Sequence, residues 1–72
     1  MKKYTVEYTM TWSNEIRDIE VLASNKEDAY DRAVYEEIPA KEGEHAYSAW
    51  VDSVVFANGN RRWFNTHEGK PY

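Results

Sequence analysis

The sequence predicts an α+β domain of ββαββ order, an antiparallel sheet of about four strands with one helix packed on one face. Three observations carry this. "YTVEYTMTW" alternates polar and apolar residues without a break, the period of a strand with one buried face. "SNKEDAYDRAVYEEIP" opens on a capping signal and continues with apolar residues at helical spacing. Asn58-Gly59 stands between two β-rich runs, the strongest short-range hairpin signal a sequence offers.

In the first strand Tyr4, Val6, Tyr8, Met10 and Trp12 share one face. Ser13-Asn14 suits a two-residue turn, because Asn tolerates positive φ. That turn sets Tyr8 opposite Ile19, Val6 opposite Val21 and Tyr4 opposite Ala23, and it brings Arg17 opposite Met10. The apolar positions of "IRDIEVLA" then fall on the face of the first strand, with Ile16 and Leu22 on the other. Ser24 is the expected N-cap, and Glu27 three residues on completes a capping box. Ala29, Tyr30, Ala33, Val34 and Ile38 form the helix stripe, and Pro39 is expected to end it. "AKEGEHA" reads as a charged loop pivoting on Gly43. "AYSAWVDSVVFA" reads as a long strand, with Tyr47, Ala49, Val51 and Val55 on one face and Trp50, Val54 and Phe56 on the other. After a two-residue Asn58-Gly59 turn, Trp63 is expected opposite Val54, Arg61 opposite Phe56, Arg62 opposite Val55 and Phe64 opposite Ser53. Residues 1–66 make one domain, and 67–72 are expected as a flexible tail.

The chain has 72 residues, enough for one core and no more. A domain of this size buries only about 60% of the surface its unfolded chain exposes. There is no cysteine, so disulfides and thiolate metal sites are excluded, in keeping with a reducing, cytoplasmic setting. Nothing in the sequence reads as a secretory signal or a membrane span. Net charge is −4, with ten acids against four bases between residues 15 and 44 and three bases against one acid from 58 to 72. Such a balance disfavours generic nucleic-acid binding, which needs positive potential.

No nucleophile triad, phosphate loop or pair of buried carboxylates assembles from the residues, so no catalytic, cofactor or metal site is expected. "EGEH", with Glu42, Glu44 and His45, and the second histidine, His67, match no zinc or calcium spacing. Two surfaces remain as candidates for binding. One is "NRRWFN" and its neighbours, where Phe56, Arg61 and Trp63 are expected on the uncovered sheet face with Trp50 on the same side, and Arg62 is a further candidate on the other side. Arg and Trp are the residue types that anchor protein interfaces, and they also stack on bases. The other is the helix exterior, with Tyr35, Asp28, Asp31 and Glu36, whose acids suit mimicry of a phosphate track. The bland alternatives are a hairpin end gripping the sheet and an ordinary solvated helix face.

The run from "YTVEYT" through "IEVLAS" to "NKEDAYDRAV" resembles the ββα opening of the DpnD/PcfM-like family of small mobile-element and phage proteins, over about Tyr4 to Tyr35. The resemblance implies the hairpin and capped helix and carries no functional residues with it. Size, acidity and aromatic content are similar in kind to phage-encoded inhibitors of bacterial defence, anti-CRISPR proteins among them. The expected function is a non-enzymatic, protein-binding inhibitor that occludes a surface on a host or defence complex. The alternatives are a nucleic-acid module using Arg61, Arg62, Trp63 and Phe64, and a homodimer or larger homo-oligomer whose open faces pair.

Overall fold

The computed structural model describes residues 1–65 and 70–71, with side chains described as far as Trp63. It is an α+β domain: a sheet in the order β2-β1-β3-β4-β5, crossed on one face by a helical run. The strands are β1 (Lys2–Met10), β2 (Glu15–Ala23), β3 (Ala49–Phe56), β4 (Arg61–Asn65) and the two-residue β5 (Lys70–Pro71). All paired neighbours are antiparallel. Where a tail was expected, Lys70 and Pro71 pair with β4; the remaining positions of that segment, His67 included, lie outside the described residues.

The first hairpin closes through four residues rather than two. Ser13 N–H and Asn14 N–H both donate to the Met10 carbonyl, at 3.2 and 2.7 Å, and Asn14 takes the positive φ of 58°. The register therefore moves by two: Tyr8 faces Arg17, Val6 faces Ile19 and Tyr4 faces Val21. A shift of two keeps every side chain on its expected face. Trp12 leaves the strand and sits exposed in the turn.

The helical run covers 26–42. It comprises α1 (Lys26–Arg32), a π-helical turn (Ala33–Glu37) and α2 (Ile38–Glu42). The N-cap is Asn25, not Ser24: its Oδ1 accepts from Asp28 N–H at 2.8 Å. Asp28 closes the box in place of Glu27, its Oδ2 accepting from Ser24 N–H at 3.0 Å. The helix also does not end at Pro39. The preceding turn widens so that Ile38 N–H donates to the Ala33 carbonyl, five residues back. Pro39 then stands in the first turn of α2, where its missing N–H costs least. The π turn also explains why buried Ala29, Ala33 and Ile38 are spaced four and then five apart.

Gly43, at φ 62°, turns the chain into a 3₁₀ segment (Gly43–Ser48) where a loop and the start of a strand were expected. Tyr47 is consequently exposed in that segment. The Ser48 carbonyl accepts from both Thr11 N–H and Thr11 Oγ1, at 2.9 and 3.0 Å, which ties the first turn to the start of β3.

In β3 the pairing steps from Glu7–Ser53 to Tyr8–Val51, leaving Asp52 as a bulge. Val51 and Val54 are therefore both buried on the helix side, not on opposite faces as expected. The core is Tyr4, Val6, Tyr8, Met10, Val21, Ala23, Val51 and Val54 under Ala29, Ala33 and Ile38, with Phe56, Ile19, Tyr30 and Val34 packed at its border.

Candidate functional site

The second hairpin decides where the conspicuous residues go. Gly59 N–H donates to the Phe56 carbonyl at 2.9 Å, and Phe56 N–H to the Asn60 carbonyl at 2.7 Å. Gly59 is at φ 90°. This is a three-residue loop, a tight turn followed by a glycine in the left-handed region. One residue more than expected shifts the register by one: Trp63 faces Ser53, Arg62 faces Val54 and Arg61 faces Val55. An odd shift reverses the faces. Arg61 and Trp63 leave the side of Val54, which the helix covers, for the side of Ser53 and Val55, which it does not.

Phe56 does not join them. It meets Tyr4 edge-on, with ring centroids 5.5 Å apart, at the border of the core. Arg62, on the opposite face from Arg61, shares the helix side with Val54, and its charge helps hold the Glu27 carboxyl below its ordinary range after Glu27's own backbone N–H and Lys26. Arg61 and Arg62 thus point to opposite faces and form no continuous basic strip. The Phe64 side chain falls outside the described ones.

What assembles on the open face is an arginine–tryptophan pair. The Arg61 guanidinium lies over the Trp63 ring, 5.0 Å from its centroid. Both of its terminal nitrogens donate to Glu7, at 2.6 and 3.1 Å. This two-point fork on Glu7 fixes the guanidinium over the ring. Trp63 remains 51% exposed and Trp50 38%. Trp50 reaches this face because the bulge at Asp52 puts it beside Thr9, whose hydroxyl donates to Asp52 at 2.7 Å. Ser53, between Glu7 and Trp63 in the ladder, is fully buried, and its hydroxyl finds no hydrogen-bond partner among the described residues. Ile16 and Leu22, both strongly exposed, extend the apolar part of the face to β2.

On the helix exterior Asp28 is committed locally. Ser24 N–H, the Arg32 guanidinium and the Ser24 hydroxyl all bond its carboxylate and hold it below its ordinary range. Asp31 and Glu36 stay exposed beside Tyr35, and the three share a shallow depression with Asp28 and Arg32.

Glu42 is the residue whose role the sequence hid. It sits at the end of α2 with its side chain only 6% exposed. It accepts from the Tyr8 hydroxyl at 2.7 Å and from Arg17, which also binds Glu15. Burial, then the Glu42 bond, pushes the Tyr8 phenol well above its usual range. The Tyr8 and Arg17 bonds hold Glu42 below the carboxylate range. This network is a clasp between helix and sheet, joining Glu42 of α2 to Tyr8 of β1 and Arg17 of β2. His45 stacks on Trp12 with centroids 5.4 Å apart. Among the described residues no three His, Asp or Glu side chains converge as a ligand set, and no helix is long and apolar enough to cross a membrane.

The fold and this surface define a small α+β domain with one face closed by a helix and one open face carrying an ordered Arg–Trp pair. No protein-family model matches the chain, and no match to it was found among curated proteins or solved structures.

Proposed function

We propose that the protein is a non-enzymatic binding module whose contact surface is the open sheet face, centred on Trp63 and Arg61 and extended by Trp50. The observation that carries this reading is the Arg61–Trp63 cation–π pair clamped by Glu7 on a face that no helix among the described residues covers. Ordered arginines and tryptophans lose little further freedom on binding, and residues of these types dominate interface energetics. The exposed acids Asp31 and Glu36 on the opposite side steer association rather than hold the complex. A form of such a module suited to its size and acidity is an inhibitor that occludes a surface on a larger host or defence complex in the cytoplasm.

The test is affinity capture from a host lysate with the wild-type chain and with Trp63→Ala and Arg61→Ala, each first shown to be folded. The proposal expects a partner retained by the wild type and weakened by about 2 kcal/mol or more in either variant. A partner held equally by all three chains would place the binding surface elsewhere, and Tyr35 with the helix acids would be next to test.

A further inference from the structure

We infer that the outer edge of β2 is a second binding site, which takes an extended, basic segment of a partner protein as a sixth strand that displaces Lys41 from the Asp18 carbonyl. β2 ends the sheet, and it runs for nine residues, Glu15–Ala23, without Pro, Gly or Lys. In an antiparallel ladder, alternate residues turn both backbone groups toward or away from the neighbour. The Asp18 carbonyl accepts from Lys41 Nζ at 3.0 Å, so it points away from β1. By alternation Ile16, Glu20 and Leu22 also present N–H and C=O outward. Their side chains, with that of Asp18, stand on the open face, and all four residues are exposed.

The side-chain order along that edge is apolar, acid, acid, apolar. A strand laid beside it is matched by the complementary order, apolar, basic, basic, apolar, at every second residue. A second copy of β2 is poorly matched. Antiparallel self-pairing that keeps the open faces together and aligns three or more of these residues sets Asp18 against Glu20, Asp18 against Asp18, or Glu20 against Glu20. Like charges directly opposite are destabilising. The edge thus discriminates against its own copy while remaining open to a cationic chain, and backbone pairing with alternate side-chain contacts is an established way to capture an extended peptide. Of the two acids, Glu20 meets only the exposed Lys3 ammonium among the described residues, at 3.3 Å, a contact that a peptide lysine can replace.

This site does not depend on the Arg61–Trp63 surface, and the experiment separates the two. The probe is a synthetic peptide, leucine-threonine-lysine-threonine-lysine-threonine-leucine, titrated into the full chain and followed by backbone amide shifts and hydrogen exchange. Saturable binding is expected, with the outward N–H groups of Ile16, Asp18, Glu20 and Leu22 shifted and newly protected. Glu20→Lys should weaken it about tenfold or more, and a peptide with glutamate for lysine should not bind. Glu20→Pro, which removes an outward donor that the fold does not use, should abolish protection at the edge. Trp63→Ala should leave the peptide affinity unchanged. Absence of saturable binding, or shifts confined to Trp50 and Trp63, would overturn the inference. So would a free chain that is already dimeric with the β2 edge protected.

Discussion

At the entrance to α1 three residues divide the work of one cap. Asn25 satisfies Asp28 N–H, and Asp28 in return satisfies Ser24 N–H. Asn25→Ala should therefore destabilise by about 1 kcal/mol. Ser24→Ala should cost clearly less, since its hydroxyl makes only a 3.2 Å bond to the already occupied Asp28 carboxylate. Denaturant melts of the two variants check this, and a larger loss at Ser24 would return the cap to that residue. The carboxylates here and at the clasp also set an acid response. Asp28, Glu27 and Glu42 all titrate below their ordinary values in the folded state. A lowered folded pKa contributes stability that is fully present above the unfolded value, about 3.9 for Asp and 4.3 for Glu. That contribution is lost as pH falls through the folded values. The melting temperature should hold through neutral pH and drop below that range. In Glu42→Gln the drop should be shallower, from a lower starting stability. An unchanged acid profile in Glu42→Gln would remove the clasp from the account.

At the scale of elements, the two hairpins show what local pattern reveals and where it stops. Alternation located both partners of the first hairpin, and the four-residue turn altered the register by two without moving any side chain across the sheet. The second turn altered it by one, and that decided which face receives Trp63. Asn58-Gly59 announces a turn, but the same dipeptide serves a two-residue loop or the end of a three-residue one, so the face was not legible. The bulge at Asp52 was hidden for a related reason, because Val51 and Val54 look out of phase until an extra residue reunites them. Pro39 misleads because a π turn accommodates it, which depends on Ile38 reaching the core. The helix stripe and the first-strand face, in contrast, follow from periodicity alone. Gly59 holds φ 90° with open space around it, so Gly59→Val should be strained by backbone alone, costing about 1–2 kcal/mol. Asn14, at φ 58°, should tolerate Gly within about half a kcal/mol and resist Val by about 1 kcal/mol or more. Equal stability of the Val and Gly variants at Asn14 would contradict the turn described for it.

At the scale of the molecule, one helix closes one face, and the aromatics that the core does not use stand outside it. Trp12, Trp50 and Trp63 are all substantially exposed, while the tyrosines Tyr4 and Tyr8 fill the interior. The central claim is that Trp63 belongs to the open surface and not to the core. It is tested most directly by one chemical-denaturation curve on Trp63→Ala beside the wild type. The structure predicts a folded variant with a single cooperative transition, destabilised by about 1–2 kcal/mol, the share expected for a half-buried aromatic. A loss of about 3–5 kcal/mol, enough to abolish the folded baseline of so small a domain, is the signature of a deleted core aromatic. That result would contradict the register of the second hairpin and, with it, the open-face site.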